Sequence, residues 1–387
     1  MQRSFALMLA ALIASCGASS TDVAPESRGA SRLDLESLLG GDATGFTRIT
    51  ESRPLQFPAD HAPHDGVQTE WWYVTANLED EQGRGLGLHF TLFRNAMRPD
   101  APERGSDLGA AHVWMGHLAM SDLDAGEHRV HERFTREAPG LAGHEADPWR
   151  VYLEDWELIG LEGFGASASD PLRPGFRLRA GHGDERIELQ LSATKPLVLQ
   201  GDRGYSQKGP EPGNASLYYS ATRLEASGEW TLDGRTRSVR GNAWLDREWS
   251  TSVLPAGTVG WDWLSLQLTD GRELMLYQLR TSAGEASEFS HGTLINRDGS
   301  KRDLPRDAFV LEPLSTWTSP RSGASYPTVW RARVPEADVD LRIAARMDDQ
   351  ELDVTVRYWE GAVEALDPES GERLGLGFLE LTGYERP

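Results

Sequence analysis

The sequence predicts an all-β protein that folds into two antiparallel β-barrel domains. Short runs in which apolar and polar residues alternate recur from about residue 46 to the C-terminus, and a period of two is typical of strands with one buried face. Gly and Asp-Gly turn signals separate these runs, whereas helix-period patterns are scarce. The clearest predicted strands are residues 70–78, 86–94, 187–193, 261–268, 273–280 and 352–359.

One pair of strands occurs twice in the chain. The segment EWWYVTANL (70–78) and the strand that ends at Arg94 are echoed by GWDWLSLQL (260–268) and the strand that ends at Arg280. This similarity predicts two copies of one β architecture with a boundary near Gly228. Closing each copy into a barrel removes exposed strand edges, and about eight strands leave room for one small ligand. The two predicted domains span residues 46–228 and 229–387.

The N-terminus has the pattern of a lipoprotein signal peptide, residues 1–15. An apolar run at residues 5–13 leads to small residues directly before Cys16, and nine or so apolar residues are too few to span a bilayer core of about 30 Å. Cys16 is the only cysteine in 387 residues, so lipid attachment is the simplest use of its thiol; the alternative is a secreted protein cleaved elsewhere. Residues 16–45 are then a tether, and Gly17 favours an outer-membrane lipoprotein of the cell envelope that faces the periplasm or the cell surface.

The charge balance excludes nucleic acid as a partner. Asp plus Glu number 60 and Lys plus Arg 39, for a formal net charge of −21, and no cluster of basic residues could hold phosphates. Gly-x-Ser-x-Gly, phosphate-loop and dinucleotide motifs do not occur in the sequence. The predicted partners are therefore an apolar small molecule, other proteins and the membrane that holds the lipid anchor, and no cofactor is predicted.

The ten histidines predict no metal site. His112 and His117 are five residues apart and fall on opposite faces of a strand. His61, His64 and Asp65 lie in a Pro-containing loop, with no distant Cys or His cluster to complete four ligands. We therefore expect these histidines at the surface.

Thirteen tryptophans make an aromatic-lined pocket the default ligand site. Most of them are expected in the core, but the inward face of a barrel can line an apolar cavity. For His89 the alternative is a solvent-facing side chain. The candidate ligand-binding residues are Trp72, His89, Trp261 and Trp263.

The segment NAWLDREW carries the strongest candidate for chemistry. On an extended strand Asn242, Trp244, Asp246 and Glu248 share one face. A carboxylic acid kept protonated by an apolar cavity could protonate a carbon–carbon double bond, and aromatic faces could stabilise the resulting cation. The alternative is a structural ion pair of Asp246 at a barrel rim with Arg223, Arg240 or Arg247.

Several ordered motifs resemble the hydroxyneurosporene synthase superfamily over nearly all of the mature chain. They are EWWY (70–73), GNAWLDREW (241–249), WDW (261–263), YWEGAV (358–363) and GLGFLELTGY (375–384). This superfamily includes carotenoid hydratases, a fungal phytoalexin hydratase and AttH-like lipocalin-fold proteins, and the resemblance is greatest to the AttH-like branch. It implies two lipocalin-like domains, an apolar ligand and, as in many AttH-like members, a link to export systems, so ABC-type exporter components join the expected partners.

The resemblance also implies roles for three residues. Asp246 matches the acidic residue that the carotenoid hydratases use, and Trp244 takes the place of an aromatic partner two residues earlier. The His and Trp that the hydratases carry about thirty residues upstream are replaced by SLYYS (216–220), with no histidine nearby in the sequence. Tyr219 of this segment completes the candidate catalytic set.

Three functions follow from these observations. The leading hypothesis is a membrane-tethered lipocalin-like lipoprotein that binds an apolar, isoprenoid or lipid-like molecule as an accessory to an exporter. The second is a hydratase that adds water to an isoprenoid double bond with Asp246 as general acid. The third is an interaction module whose pockets are collapsed. Pocket volume separates the third from the others, and the protonation state of Asp246 separates the first two.

Replacing Cys16 tests the lipid anchor. Cys16→Ala removes the single thiol on which a lipid can be placed, so the protein should move from the membrane fraction to the aqueous fraction after cell fractionation. The matched control is Ser15→Ala, which keeps the thiol and a small residue before it. A Cys16→Ala protein that stays wholly in the membrane fraction would contradict lipidation.

Overall fold

A computed structural model describes residues 43–99, 111–161, 164, 170–251, 254–255 and 257–384. The predicted signal peptide, Cys16 and nearly all of the predicted tether lie outside these residues. The described chain is almost entirely β, and it contains no helix of the length and apolar character needed to cross a bilayer. Three short 3-10 turns are present in it, at Ala59–His61, Arg306–Ala308 and Pro335–Ala337.

The first antiparallel sheet holds thirteen strands in the described residues, with the hydrogen-bonded order β4-β3-β2-β1-β13-β12-β9-β8-β7-β6-β5, and β10 and β11 also pair with β12. The strands are β1 (Thr69–Asp80), β2 (Gly85–Ala96), β3 (His112–Asp122), β4 (Glu127–Arg136), β5 (Ala142–Ala146), β6 (Trp149–Leu153), β7 (Trp156–Gly160), β8 (Gly175–His182), β9 (Glu185–Ala193), β10 (Val198–Leu199), β11 (Tyr205–Gln207), β12 (Ala215–Leu232) and β13 (Arg235–Ser250).

The second antiparallel sheet holds ten strands in the described residues, with the order β17-β16-β15-β14-β23-β22-β20-β19-β18, and β21 also pairs with β22. The strands are β14 (Thr258–Leu268), β15 (Glu273–Thr281), β16 (His291–Ile295), β17 (Lys301–Pro305), β18 (Val310–Thr318), β19 (Ser325–Val334), β20 (Val339–Ala345), β21 (Glu351–Leu352), β22 (Tyr358–Leu366) and β23 (Arg373–Thr382).

The two sheets share one topology, so the predicted repeat is confirmed. Each begins with a four-strand meander, β1 to β4 or β14 to β17, and in each the first strand pairs with the last strand of its half, β13 or β23. The two similar hairpins of the sequence are β1–β2 and β14–β15. Pairing of first and last strands curls each sheet into the predicted lipocalin-like, barrel-like form.

Side chains help to bring the ends of the first sheet together. Edge strand β4 faces the β8–β9 hairpin, where Glu185 accepts hydrogen bonds from Arg129 and His131, each at 2.6 Å. The strand pairing that the described residues show does not join β4 to β5. The curl is therefore closed by side-chain contacts and not by a continuous ladder.

The domain boundary expected near Gly228 is wrong in position. Gly228 lies inside β12, opposite Val239 of β13, and the first sheet runs on to Ser250 before the second begins at Thr258. A Cβ at this position would collide with the carbonyl oxygen of Glu188 in β9. The glycine therefore marks a close approach of two strand backbones and not a linker.

The strand expected at residues 352–359 is also wrong. β21 ends at Leu352 and pairs with β22, which begins at Tyr358, so residues 353–357 form the connection between them. Thr355 in this connection donates its backbone N–H and its hydroxyl to Glu132 of the first sheet, at 3.0 and 2.8 Å. The alternation that suggested a strand comes from Val354, which packs against Ala119 of the first sheet, and Val356, which lines a cavity between the sheets.

Three large apolar clusters and one small one, formed by Ala119, Leu352 and Tyr358, organise the described chain. One fills the curl of the first sheet and one fills the curl of the second. The third lies between the two sheets and draws residues from both, including Tyr73, Tyr218, Trp244, Trp263, Tyr277 and Phe378. Because strands such as β1 and β14 are buried on both faces, each of their two sets of alternate side chains meets a different cluster.

A buried ion cluster also joins the sheets, and Glu273 is its centre. The Glu273 carboxylate is 0 % exposed and accepts hydrogen bonds from Lys195 at 2.8 Å and Arg223 at 2.5 Å. Lys195 also donates to the carbonyls of Gly271 and Asn296. Both cations belong to the first half of the chain and the carboxylate to the second.

Glu273→Gln should destabilise the protein strongly, because it leaves two partly buried cations without their counter-charge. Breaking a buried ion pair costs about 3–5 kcal/mol of unfolding free energy, which chemical denaturation would measure. The matched control is Glu188→Gln. It breaks an ion pair with Arg179 in which both side chains are about half exposed, and such a loss costs less than about 1 kcal/mol. Equal losses in the two variants would contradict this role for Glu273.

Candidate functional site

A cavity lies between the two sheets and not inside either curl, where the sequence placed it. Its volume is about 120 Å³, and one water molecule needs about 10–15 Å³ on this measure, so a small ligand fits. The apolar and aromatic lining is Trp71, Tyr73, Phe93, Met115, Tyr218, Leu254, Trp261, Trp263, Tyr277, Leu279, Val356 and Tyr358. The polar lining is His89, His117, Lys208, Asp246, Glu248, Glu380 and Thr382.

Strand alternation explains why the cavity is where it is. On β1, Trp72 points into the curl of the first sheet, whereas Trp71 and Tyr73 point toward the second sheet. The curl behind Trp72 is filled by large side chains such as Trp114 and Trp230. The open volume is therefore left on the opposite face, where the two sheets meet.

A row of polar side chains crosses the first sheet on the cavity side. Residues directly opposite each other on paired strands point to the same face. From β12 to β4 the register aligns Ser220, Asp246, Tyr73, Thr91, His117 and Glu132 in one such row. The cavity thus has a polar track across an otherwise aromatic wall.

Asp246 is buried, 4 % exposed, and three donors surround its carboxyl group. Tyr218 donates to Oδ2 at 2.7 Å, and Trp244 and Ser220 donate to Oδ1 at 2.7 and 2.5 Å. Burial raises the pKa of Asp246 to about 7 despite these hydrogen bonds. A substantial fraction of Asp246 is therefore protonated at neutral pH.

The structure does not contain the alternative ion pair at Asp246. Arg247 points to the opposite face and pairs with Glu70, and Arg223 pairs with Glu273. Among the described residues no arginine forms a salt bridge with Asp246. The carboxyl group is therefore held by neutral donors, which leaves its proton available.

The second sheet adds two more acids, Glu360, which is buried, and Glu380, which is partly exposed. Glu380 lines the cavity, and its strand partner is Glu360. Burial raises the pKa of Glu380 to about 7, and burial together with the neighbouring Glu380 raises the pKa of Glu360 well above its ordinary value. Tyr73 links the sheets by donating its hydroxyl to Glu360 at 2.9 Å.

One cation lies among the lining residues, and it is already paired. The Lys208 ammonium lies 3.4 Å from Glu248 and 4.0 Å from the centre of the Tyr277 ring. It is buried, and the Glu248 carboxylate outweighs burial to raise the pKa of Lys208. The lysine is therefore charged and compensated, and it offers no neutral amine to a substrate.

The structure places the candidate ligand-binding residues in two different environments. His89, Trp261 and Trp263 line the cavity, whereas Trp72 lies in the core of the first sheet. His89 Nε2 lies within hydrogen-bond distance of Thr91 Oγ1, at 2.7 Å, and the buried Nδ1 has no hydrogen-bond partner within the described chain. Burial holds the pKa of His89 well below its ordinary value, so its ring is neutral.

The candidate catalytic residues are divided in the same way. Trp244 donates to Asp246 and packs against Trp263 between the sheets. Tyr219 does not join them, because it is one residue out of phase and points into the first core, where its hydroxyl meets His61 Nδ1 at 2.5 Å. Its neighbour Tyr218 is the residue that contacts Asp246.

Two of the histidines expected at the surface are buried. His61 is 2 % exposed beside Tyr219, and His117 is 1 % exposed in the cavity wall. His61 has a partner for Nδ1 and His117 has partners for both ring nitrogens, which makes their burial tolerable. The described residues contain no group of three or more His, Cys, Asp or Glu side chains arranged to hold a metal ion.

Sequence reasoning missed Tyr218, His117, Tyr358 and Glu380 as site residues. Glu380 and Tyr358 fall within the quoted motifs GLGFLELTGY and YWEGAV, but the motifs do not show which residues face a cavity. His117 faces the cavity because its strand register aligns it with Thr91 and Tyr73. The sequence does not supply this register, so no signal in it singled out His117.

Comparison with known proteins identifies the family. Residues 48–384 match the AttH-like family. The chain belongs to this family. The resemblance inferred from the motifs is therefore confirmed over most of the chain. A crystal structure of an AttH from Nitrosomonas europaea is 32% identical, with a TM-score of 0.75, and the match covers 88% of this chain and 100% of that one.

One solved structure with a similar fold and one curated sequence match carry enzyme names. The crystal structure of kievitone hydratase from Nectria haematococca has a TM-score of 0.62 at 13% identity, covering 88% of this chain and 98% of that one. Dehydratase asqC of Emericella nidulans is 21% identical over 182 residues, which is 45% of this chain and 50% of the dehydratase. The chain thus spans about half the length of this curated relative.

Asp246→Asn should change how stability depends on pH. The folded pKa of Asp246 is raised from 3.8 to about 7, so its contribution to stability is fully present below pH 3.8 and is lost as pH rises through about 7. Between pH 5 and pH 8 the wild type should lose about 3 kcal/mol of unfolding free energy relative to the variant. The loss accrues over the roughly two pH units between pH 5 and the folded pKa, at about 1.36 kcal/mol per unit.

Urea denaturation at pH 5 and pH 8 measures this difference. The control Asp303→Asn changes a carboxylate on β17 that is 43% exposed, and it should follow the wild type at both pH values. If the free energy of unfolding changed equally with pH in the wild type and in Asp246→Asn, burial would not raise the pKa of Asp246.

Proposed function

We propose that this AttH-like protein is a hydratase or dehydratase that acts on a small, neutral, apolar substrate, with Asp246 as the group that gives a proton to carbon in hydration and takes it in dehydration. The observation that carries the proposal is the placement of Asp246. Its carboxyl group is buried, lines an aromatic cavity and retains its proton near pH 7. Such a group can act as a general acid without a metal ligand or a cofactor.

The surroundings of Asp246 suit the chemistry of adding water to a double bond. Protonation of an alkene carbon by the carboxylic acid leaves positive charge on the neighbouring carbon. The faces of Trp261, Trp263 and Tyr277 line the cavity and can stabilise a cation. The carboxylate left on Asp246 keeps its three hydrogen-bond donors, which stabilise the charge that it gains.

The cavity favours a neutral substrate over an anionic one. Asp246, Glu248 and Glu380 lie in its wall, and the lining cation Lys208 is already paired. An anionic substrate would find no unpaired lysine or arginine among the lining residues, and a buried charge without a partner is costly. A neutral isoprenoid alkene or its tertiary alcohol meets apolar and aromatic surface instead.

The names of the relatives support the same reaction class. A hydratase and a dehydratase transfer water in opposite directions, and both are related to this chain. They favour an enzyme over a passive carrier, the leading hypothesis from the sequence. Binding of an apolar molecule belongs to both functions, and the open cavity argues against an interaction module with collapsed pockets.

The proposal keeps the envelope location that the N-terminus suggests. The signal pattern and Cys16 support a lipid-anchored protein of the outer membrane, and components of an ABC-type exporter stay the partners that the family resemblance leads us to expect. Neither feature is needed for the chemistry at Asp246.

Turnover in heavy-oxygen water tests the proposed reaction. Purified protein is incubated with geraniol, β-myrcene or a prenylated phenol, and the tertiary alcohol is analysed for label. Asp246→Asn should lower kcat by about 10²–10⁴-fold, the contribution of one general acid. In the wild type kcat should fall as pH rises through about 7, because Asp246 must be protonated to act.

Asp262→Asn is the matched control for this experiment. Asp262 is also buried, and burial raises its pKa to about 6, but it pairs with Arg280 away from the cavity. The control should retain turnover once its folding is verified by circular dichroism. Tight binding of the alkenes with no labelled alcohol from the wild type would favour the carrier over the enzyme.

A further inference from the structure

A chain of hydrogen bonds leads from the cavity to the edge of the first sheet. The Tyr358 hydroxyl lies 2.7 Å from His117 Nδ1, and His117 Nε2 lies 3.1 Å from Glu132 Oε1. Tyr358 and His117 line the cavity. The Glu132 side chain is 19% exposed on edge strand β4, so the chain of hydrogen bonds runs from the cavity toward solvent.

The partners of His117 fix where its protons are. Burial raises the pKa of Glu132, but hydrogen bonds from His117 and Thr355 outweigh burial and hold it below its ordinary value. Glu132 is therefore a carboxylate that accepts the proton of His117 Nε2. In the tautomer that donates from Nε2, the ring presents the lone pair of Nδ1 to the Tyr358 hydroxyl, which donates to it.

This chain lies across the cavity from Asp246. His117 and Asp246 occupy the same cross-strand row and are separated by β2 and β1, with Thr91 and Tyr73 between them. Three strand spacings of about 4.8 Å put their Cα atoms roughly 14 Å apart. Side chains that reach inward from both ends leave room for a small substrate between the two groups.

We propose that Tyr358 and His117 form the second proton-transfer group of this site, and that Glu132 is the positioning residue that sets the tautomer of His117. The inference rests on the proposed function and assigns the half of the reaction that Asp246 does not perform. Adding water needs a donor for carbon and an acceptor for the proton that the attacking water releases.

The steps balance in both directions. In hydration, Asp246 gives its proton to one alkene carbon, and water forms a C–O bond to the other. The water proton passes to the Tyr358 oxygen as the Tyr358 proton passes to His117 Nδ1, which leaves an imidazolium beside the Glu132 carboxylate. Solvent then takes the extra proton from His117 and returns one to Asp246. In dehydration the imidazolium, through Tyr358, protonates the leaving hydroxyl, and Asp246 takes the carbon-bound proton.

The other ionisable groups near this chain are neutral or already bonded. His89 on β2 is kept neutral by burial, and Glu360, two residues from Tyr358, accepts the Tyr73 hydroxyl. Thr355 of the connection before β22 completes the shell around Glu132. His117 is thus the group through which a proton from Tyr358 can continue toward solvent.

Kinetics of three variants test the proposal with the alkene that the wild type hydrates. Tyr358→Phe and His117→Gln should lower kcat by about 10²–10⁴-fold with little change in KM. Glu132→Gln should lower kcat by about 10-fold or more, because a wrongly protonated imidazole cannot accept from Tyr358. The matched control is His131→Gln. His131 of β4 pairs with Glu185 of β9 and does not line the cavity, so this variant should keep wild-type kcat.

Nitrogen-15 NMR of labelled histidine provides a readout that does not depend on turnover. His117 should carry its proton on Nε2 in the wild type and in His131→Gln, and Glu132→Gln should weaken that preference. A proton on Nδ1 in the wild type would overturn the proposal. So would full kcat in both Tyr358→Phe and His117→Gln when Asp246→Asn is inactive. If the wild type hydrates no alkene, the proposed function fails, and the NMR result decides the hydrogen-bond chain separately.

Discussion

The pairing of β1 with β13 is the constraint on which the rest of the structure depends. Twelve residue pairs join the two strands, and β1 and the second half of β13 are buried on both faces. Alternation then sends Trp72 and Leu245 into the first core and sends Tyr73 and Asp246 toward the second sheet. A slip of one residue would exchange these sets and place the carboxyl group in a packed core.

The face between the sheets carries more ionisable groups than stability alone would favour. Removing an ionised carboxylate from water is costly unless it is paired, and a buried acid responds by retaining its proton. Asp246, Glu360 and Glu380 do so, and their pKa values are raised. Sites where local preference is sacrificed in this way are commonly functional.

The two copies of the fold contribute unequally to one site. The first sheet supplies the polar row with Asp246 and His117, and the second supplies Tyr358, Glu380 and the tryptophans of β14. Neither half of the chain encloses the cavity by itself. The buried cluster around Glu273, with cations from one half and the carboxylate from the other, helps to hold the two walls in register.

The sequence by itself determined the β class, the repeated meander and the family, and it singled out Asp246, which lines the cavity. These follow from local information, because alternation, turn residues and short motifs are properties of neighbouring positions. Tertiary structure decided the change of sheet after Ser250, the location of the cavity between the sheets, and the choice of Tyr218 over Tyr219. It also joined His117 to Tyr358, 241 residues later. In strands buried on both faces, composition cannot show which face meets the cavity, and only the strand register and the packing of one sheet on the other fix it.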